Sequence, residues 1–271
     1  CVAVGYQAAT NGAQKQFGVF IGYQAGQFSA SNDNVNVGFQ AGRNSAGSSN
    51  VFIGTRSGSD ASNTASSNVG IGNNALRRIT GGGNNVAIGT NTLTQSTTAI
   101  FNIGIGSDSL EETTTGSYNV AVGYKTLESN TIGQYNVALG YNVLNSNTTA
   151  SYNVGIGYET LKNNTTGQFN VAVGYNCLPN STVGIQNTAI GYSSMVNTTT
   201  SRDNVSVGYK AAQRNTTGSY NVAIGSFSLY ENTTGQYNVA IGYQALYNNT
   251  TAEFNVGVGF YALLNNTTGE N

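Results

Sequence analysis

A short segment in which apolar residues alternate with small or polar ones recurs along the whole chain. The segment reads Val-x-Val/Ile-Gly, and its closing glycines run from Gly5 to Gly259 in sixteen copies. After early spacings of 16 to 18 residues, the interval is 17 residues eleven times in succession. We number the consensus Asn-Val-Ala-Ile-Gly-Tyr-x-Ala-Leu-x-x-Asn-Thr-Thr-Gly-x-Tyr as slots 1 to 17. A fixed period of this kind predicts a repeat architecture, in which each unit packs only on its neighbours.

The copies fall into two zones of one continuous repeat domain. Residues 1–67 hold four irregular copies, and residues 68–271 hold twelve regular copies of 17 residues. Slot 9 separates the zones, because it is mostly leucine in the regular copies and glycine in three irregular ones. Those glycines are Gly26, Gly42 and Gly58.

The residue types within one copy predict β structure. Alternating β-branched residues, a fixed glycine and an Asn-Thr-Thr-Gly turn all disfavour helix. We predict a strand at slots 1–6, a shorter strand near slots 7–11 and a turn at slots 12–16. Such a unit fits one coil of a solenoid whose coils stack about 4.8 Å apart. The sequence therefore predicts an all-β fold, a parallel β-solenoid of sixteen coils.

Charged residues indicate which slots face water. They occupy slots 7, 10, 11 and 15–17 only. A charge stacked in an interior column would be costly, so we expect slots 1–6, 8, 9 and 12–14 to be buried or tightly packed. Slots 2 and 4 carry Val, Ile or Leu, except at Thr188, and point away from the small residues of slot 3. A narrow coil encloses one thin core, so the other apolar side needs a partner, and we expect a homo-oligomer with a trimer favoured.

Several slots hold nearly one residue type, which predicts structural ladders. Asparagine at slot 1 predicts amide hydrogen bonds along the stacking direction, and glycine at slot 5 predicts a close approach of backbones. Leucine at slot 9 and threonine at slot 13 are also nearly constant in the regular zone. The ladder residues that we single out are Asn119, Asn136, Asn153, Asn170, Gly123, Gly140, Gly157, Gly174, Leu127, Leu144, Leu161, Thr131, Thr148 and Thr165.

Tyrosine or phenylalanine recurs at slots 6 and 17. We favour packing between coils as the reason. The alternative is glycan contact along the stack, for which the candidate residues are Tyr124, Tyr141, Tyr158 and Tyr175.

The Asn-Thr-Thr turns match the N-glycosylation sequon as well as a polar turn. We favour the turn, because asparagine tolerates left-handed geometry and threonine bonds nearby backbone. The matching asparagines are Asn147, Asn164, Asn215, Asn232, Asn249 and Asn266.

Composition limits the chemistry that we expect. The chain has no His, 8% charged residues and a net charge of -1. Histidine is the commonest general acid–base group and metal ligand, so we predict no enzyme activity, no cofactor and no metal. The charge balance predicts no nucleic-acid partner, and no apolar run approaches the ~20 residues of a membrane-spanning helix. Cys177 occupies slot 8 and is predicted to be a core thiol, ten coils from Cys1 and too far for a disulfide.

The segments Asn238-Val-Ala-Ile-Gly-Tyr-Gln-Ala-Leu and Asn232-Thr-Thr-Gly-Gln-Tyr resemble repeats of bacteriophage tail fibres and bacterial tail-fibre-domain surface proteins. The Val-x-Ile-Gly core is similar to the head repeats of trimeric autotransporter adhesins, although those repeats are usually shorter and lack the Thr-Thr-Gly turn. The resemblance implies a left-handed β-roll in a homotrimeric rod that is extracellular, on a cell surface or on a virion.

The function that this resemblance implies is mechanical. A structural shaft would project a tip that binds a host receptor or surface, and a host-surface glycan or receptor is the implied partner. A polysaccharide-binding module that uses the aromatic, Asn and Thr ladders is the alternative. Because Cys1 and Asn271 both fall in register with the repeat, we expect the chain to be a segment of a longer fibre.

Overall fold

The computed structural model describes residues 1–11, 17–30, 32–60 and 64–269. Lys15 and Glu270, two of the charged residues assigned to slots 15–17, lie outside the described residues, as does Asn271. The chain divides into two compact units, Cys1–Asn136 and Val137–Asn271. The boundary between irregular and regular copies, at residue 67, falls inside the first unit.

Each strand of the first unit pairs in parallel with the next strand along the chain. Every strand covers slots 2 to 4. The strands are β1 (Val2–Val4), β2 (Val19–Ile21), β3 (Val35–Val37), β4 (Val51–Ile53), β5 (Val69–Ile71), β6 (Val86–Ile88), β7 (Ile103–Ile105) and β8 (Val120–Val122).

The second unit repeats the arrangement with four longer strands. Strands β9 to β12 extend to the slot-6 tyrosine, whereas β13 to β16 again cover slots 2 to 4. The strands are β9 (Val137–Tyr141), β10 (Val154–Tyr158), β11 (Val171–Tyr175), β12 (Thr188–Tyr192), β13 (Val205–Val207), β14 (Val222–Ile224), β15 (Val239–Ile241) and β16 (Val256–Val258).

Equal slots face each other in every parallel pair, as when Val154 pairs with Val171 and Gly157 with Gly174. The part of the chain that the structure describes contains no helix. The prediction of an all-β parallel β-solenoid with a period of about 17 residues is therefore confirmed.

The core of each unit lies between slot 3 on one side and slots 8 and 9 on the other. A Cβ atom added to Gly104 at slot 3 would meet the side chains of Thr92, Ser109 and Leu110, which occupy slots 8 and 9. Alanine at slot 3 and leucine at slot 9 are fully buried in most regular coils. Asparagines at slots 1 and 12 are buried beside them. The core is consequently thin and contains polar amides as well as apolar groups.

The predicted second strand near slots 7–11 is wrong. Non-glycine residues at slots 7, 9 and 17 adopt left-handed φ angles between 45 and 62°. The backbone N–H of such a residue still points along the stack. Leu110 donates to the Thr126 carbonyl oxygen at 3.0 Å, and Tyr118 donates to the Ile100 carbonyl oxygen at 3.0 Å. The chain thus bends around the narrow core while it keeps hydrogen bonds between coils, which an extended strand could not do here.

The expectation that the uncharged slots are buried or tightly packed is wrong as to burial at slots 2, 4, 6 and 14. Valine and isoleucine at slots 2 and 4 are half-buried or exposed, slot-6 tyrosines are exposed, and slot 14 is exposed at Ile132 and Val183. Within slots 2 to 4 of each strand, the side chain at slot 3 faces the thin core. The absence of charge at slots 2, 4 and 6 therefore has a cause other than burial within the single chain.

In three early coils the larger core residue is at slot 3 and the smaller one is at slot 9, the reverse of the regular coils. Phe20 and Phe52 occupy slot 3, and the glycines Gly26 and Gly58 occupy slot 9. A Cβ atom at Gly58 would lie 2.6 Å from the ring of Phe52, so the ring takes the space that leucine fills elsewhere. In the coil between them Asn36 is fully buried, and neither its amide nitrogen nor its oxygen has a hydrogen-bond partner. Large residues at slot 3 and small residues at slot 9 are thus coupled.

This coupling predicts partial rescue in a double variant of the regular zone. Leu93→Gly leaves a cavity that costs roughly 3–5 kcal/mol, and Ala87→Phe overfills the core at a cost of about 1–3 kcal/mol. Gly70 and Gly104 occupy slot 3 of the coils on either side and contribute no side chain to that column. The two changes together should be less destabilising than their sum by about 2 kcal/mol. Urea unfolding of the four chains measures this coupling, and strict additivity would contradict the inverted-core explanation.

Candidate functional site

The slot-1 asparagines form a continuous hydrogen-bonded ladder within each unit. Asn170 donates its backbone N–H to the side-chain oxygen of Asn153 at 2.9 Å and its amide N–H to the same oxygen at 3.2 Å. The amide also donates to the Gly184 carbonyl oxygen of its own coil at 2.7 Å. In the first unit, Asn119 and Asn136 repeat this geometry at 3.0 and 3.2 Å. All four side chains are fully buried, so each amide ties one coil to the next and closes its own turn.

A second amide ladder runs along slot 12, and sequence reasoning did not find it. Asn164 donates to the Asn147 side-chain oxygen at 3.1 Å and to the Gly167 carbonyl oxygen at 2.9 Å. The same bonds join Asn232 to Asn215 at 2.9 Å. The available signal was asparagine at slot 12 in seven of the twelve regular copies, but the six that precede Thr-Thr were interpreted as a local turn. Of the six asparagines named above as sequon matches, all but Asn266 are buried in the core, where a glycan has no room.

The slot-5 glycines bring successive coils into direct backbone contact. Gly123, Gly140, Gly157 and Gly174 have φ angles between 126 and 132°, a region that residues with a Cβ atom rarely adopt. A Cβ atom at Gly140 would collide with the Gly157 carbonyl oxygen. Glycine is therefore required here by both conformation and space.

Leucine at slot 9 and threonine at slot 13 serve packing and hydrogen bonding. Leu127, Leu144 and Leu161 are fully buried despite left-handed φ angles of 50 to 51°. A left-handed backbone costs a non-glycine residue about 1–2 kcal/mol, which burial of the side chain offsets.

The slot-13 hydroxyl groups bond the backbone of the next coil. Thr148 donates to the Thr165 carbonyl oxygen at 3.1 Å, and Thr165 donates to the Thr182 carbonyl oxygen at 3.0 Å. In the first unit, Thr131 accepts the same bond from Thr114 at 3.1 Å. The threonine column is therefore explained by bonds within the chain.

The candidate tyrosines at slot 6 stack face to face. The ring centroids of Tyr141 and Tyr158 are 5.2 Å apart at 4°, and those of Tyr158 and Tyr175 are 4.9 Å apart at 5°. Tyr124 lies in the first unit with the Lys125 ammonium 5.7 Å from its ring centroid. The neighbouring Glu159 carboxylate raises the pKa of Tyr158. About four-tenths of each side chain is exposed, but neighbouring rings cover the faces, so solvent meets mainly ring edges and hydroxyl groups.

An aromatic cluster near the end of the second unit departs from the ladder, and sequence reasoning missed it. Phe227 occupies slot 7, which is polar or charged in most coils, and Tyr230 and Tyr247 occupy slot 10. The Phe227 ring meets Tyr209 at 73° and Tyr243 at 86°, with centroids 5.2 and 6.4 Å apart. The signal was present in the sequence, because aromatic residues at slots 7 and 10 break the charge pattern of those columns.

Ion pairs form between side chains at the charged slots. Lys125 pairs with Glu128 at 2.8 Å, Lys162 pairs with Glu159 at 2.8 Å, and Arg214 pairs with Glu231 at 2.6 Å. All are substantially exposed, so each adds little stability. Across residues 1–11, 17–30, 32–60 and 64–269 we find no group of three or more acidic or cysteine side chains placed to share a metal ion, and no cavity.

The two cysteines differ in access. Cys1 is exposed, whereas Cys177 is buried in the core with its sulfur 3.1 Å from the Gly191 carbonyl oxygen. Burial raises the pKa of the Cys177 thiol. Because the thiolate is the reactive form, Cys177 is protected both by lack of access and by its protonation state.

Comparison with known proteins leaves the chain without an assigned family. No protein-family model matches it, and no curated protein matches its sequence. Among the described residues, no helix has the length and apolar character that crossing a bilayer requires.

The buried slot-1 ladder predicts a large, pH-dependent cost for one isosteric change. In Asn170→Asp, the new carboxylate loses two donated bonds and faces the Asn153 oxygen, so we expect destabilisation of about 3 kcal/mol or more at pH 7. Burial raises the pKa of a carboxyl group in the folded state, so the destabilisation is small below about pH 4 and grows as the pH rises. The half-exposed Gln168→Glu is the matched control. Thermal unfolding of both variants at pH 4 and 7 measures the difference, and equal behaviour would refute the buried ladder.

The cysteine environments predict selective labelling. An aromatic disulfide reagent at pH 8 should react with one thiol per folded chain, at Cys1, because Cys177 is enclosed and protonated. After unfolding in urea, both thiols should react. Mass spectrometry of the labelled peptides identifies the residue, and rapid labelling of Cys177 in the folded chain would show that the coil opens there.

Proposed function

We propose that the chain is a structural shaft segment of an extracellular or virion fibre or adhesin and that it works as a homo-oligomer, with a trimer favoured. The shaft holds a receptor- or surface-binding tip away from its anchor. The proposal assigns the chain no catalytic role, no cofactor and no nucleic-acid partner.

The observation that carries the proposal is the outer face of the strands. In each unit slots 2 and 4 present rows of valine, isoleucine or leucine that the core does not cover. Ile103 and Ile105 are 40% and 37% exposed, and Ile190 and Ile224 are 37% and 39% exposed. Charge is excluded from these rows although the single chain leaves them in contact with water. A partner surface explains both facts, because burial against a second copy would penalise any charge.

The area of this face suits a protein interface. Eight coils at about 4.8 Å and four residue steps from slot 2 to slot 6 give roughly 450 Å² for each unit. Exposed apolar patches beyond a few hundred Å² mark interaction sites. The face of each unit alone falls in that range. A further copy of the same chain offers an equally uncharged surface.

The ladders within each unit suit a load-bearing role. Backbone, asparagine and threonine hydrogen bonds all run from one coil to the next, so a force along the stack is distributed over many parallel bonds. Stacking energy in such a repeat is mainly between nearest neighbours. The same interactions leave few side chains free for chemistry.

Glycan binding along the slot-6 tyrosine ladder receives less support. A sugar ring binds an aromatic side chain through the open ring face. The faces of Tyr141, Tyr158 and Tyr175 are occupied by neighbouring rings at 4.9 to 5.2 Å. The ladder therefore favours cohesion between coils over recognition.

Sedimentation equilibrium tests the oligomer directly. The unmodified chain should give the mass of three 28.1 kDa chains. Introducing charge into the outer face in the double variant Val173→Glu/Ile190→Glu should yield monomers that keep their β circular dichroism, since both side chains point away from the core.

Asn163→Lys is the matched control, because slot 11 tolerates charge in other coils, as at Arg214. This control should remain a trimer. A compact monomer for the unmodified chain would overturn the homo-oligomeric proposal, and loss of assembly in the control would show that slots 2 and 4 are not specifically responsible.

A further inference from the structure

Charges in the first unit are separated by sign along three consecutive coils. Residues 68–84, the basic coil, carry two arginines and no acidic residue, whereas residues 102–118, the acidic coil, carry three acidic residues and no basic one. Residues 85–101 lie between them and carry no charge, and we name them the neutral coil. On the outer sides, residues 50–67 and 119–135 each carry one basic and one acidic residue. The charges of the basic and acidic coils are Arg77, Arg78, Asp108, Glu111 and Glu112.

The opposite charges occupy matching slots on one face. Arg77 and Glu111 occupy slot 10, and Arg78 and Glu112 occupy slot 11. The basic and acidic coils each lie one coil, about 4.8 Å, from the neutral coil. Signs are thus reversed about the neutral coil at equal distances along the stack.

The basic coil keeps one arginine for solvent. Arg77 pairs with Asp60 of the preceding coil. Arg78 is exposed, and its guanidinium donates to the neutral amide oxygen of Gln95 at 2.6 Å. The positive charge of Arg78 therefore faces outward at slot 11.

The acidic coil holds more negative charge than its neighbours neutralise. Burial raises the pKa of Glu111, and the carboxylates of Asp108, Glu128 and Glu112 raise it further, although Lys125 acts in the opposite direction. Glu112 is exposed at slot 11. A positive group approaching this face from outside the chain would relieve the repulsion among these carboxylates.

A second copy of this chain, turned end over end about the neutral coil, presents such positive groups. In that orientation Arg77 and Arg78 lie opposite Glu111 and Glu112 of the second copy, and the two-fold symmetry forms the same contact twice. A parallel, in-register copy would instead place arginine against arginine and glutamate against glutamate. Like charges in direct opposition are strongly disfavoured, so the charge pattern selects the antiparallel arrangement.

We propose that two copies of this chain bind side by side and antiparallel through slots 10 and 11 of the basic and acidic coils, with the two-fold axis at the neutral coil. The core separates this face from the outer face of slots 2 and 4. The contact therefore does not depend on the assembly proposed above, and each can fail without the other. If the chain is a shaft, the contact joins shafts that run in opposite directions.

The size of the contact sets its strength. Five coils and slots 7 to 11 cover roughly 24 Å by 13 Å, or about 300 Å². This is less than the roughly 800 Å² that each partner contributes to a standard interface. The contact is therefore weak on its own, and it is sensitive to salt because exposed charges are screened beyond about 8 Å at physiological ionic strength.

Disulfide trapping tests the contact and its orientation. Gln95→Cys, in a chain that also carries Cys1→Ser, places a thiol at slot 11 of the neutral coil, where the two copies meet within the roughly 7 Å that a disulfide requires. Ser129→Cys in the same background is the matched control. It lies at slot 11 two coils further along, so its two thiols are about 19 Å apart in the antiparallel pair.

Under mild oxidation in about 0.02 M salt, Gln95→Cys should form disulfide-linked dimers at least about fivefold faster than Ser129→Cys, and about 0.5 M salt should abolish the difference. Non-reducing electrophoresis measures the rates. Equal cross-linking of the two variants would indicate parallel pairing or random collision and would overturn the proposal. Cross-linking that does not respond to salt would contradict it as well.

Charge reversal at exposed positions identifies the groups responsible. In the Gln95→Cys chain, Arg78→Glu should slow dimer formation by about tenfold, because it opposes Glu112 of the second copy. The exchange Arg78→Glu/Glu112→Arg keeps the net charge and should restore the rate. Arg214→Glu makes the same substitution at slot 11 of the second unit and should have no effect. The same rate in Arg78→Glu as in Arg214→Glu, or no recovery in the exchanged chain, would refute the pairing.

Discussion

The contact between successive slot-5 glycines sets how closely the coils approach. A Cβ atom at Gly38 would lie 2.6 Å from the Gly54 carbonyl oxygen, and one at Gly225 would lie 2.6 Å from that of Gly242. A side chain at slot 5 would force the coils apart, and every other axial interaction would lengthen. The amide bonds of slots 1 and 12, the threonine bonds of slot 13 and the ring stacking of slots 6 and 17 all require the same spacing. The glycine column is thus the geometric condition on which the remaining columns depend.

The thin core explains the unusual mixture of residues inside the molecule. A coil this narrow has too little room for an apolar interior, so buried asparagines satisfy turn carbonyls that water cannot reach. Leucine at slot 9 occupies the largest space and takes a left-handed backbone to reach it. Where glycine replaces it, as at Gly58, a ring from slot 3 enters the space. In the coils of Phe20 and Phe52 a ring at slot 3 and glycine at slot 9 thus take the places of alanine and leucine.

The fold could be predicted from periodicity because the repeat recurs at one spacing and each slot has one environment. The path of the chain within a coil could not. Residue types at slots 7–11 suggested a strand, whereas Lys125 and Leu127, at slots 7 and 9, both adopt left-handed φ angles of 53° and 51°. Glycine at slot 9 in the irregular copies was the signal for this backbone. The absence of charge marked both the slots of the buried asparagines and those of the outer valines. It could not distinguish them, because charged residues are excluded from a core and from an uncovered apolar face alike. The aromatic cluster around Phe227 escaped notice because repeat averaging hides a departure that occurs in only a few coils.

The slot-1 ladder also gives each unit a direction. In every step the later asparagine donates and the earlier one accepts, as from Asn187 to Asn170 and from Asn170 to Asn153. The side-chain amides therefore form head-to-tail chains, in which each bond polarises the next. Their dipoles add instead of cancelling, so the two faces of any coil are electrically unequal: one offers amide oxygens and the other offers N–H groups. If a coil were reversed along the stack, its asparagine side-chain oxygen would face the side-chain oxygen of its neighbour. The ladder therefore favours head-to-tail stacking of coils over head-to-head stacking.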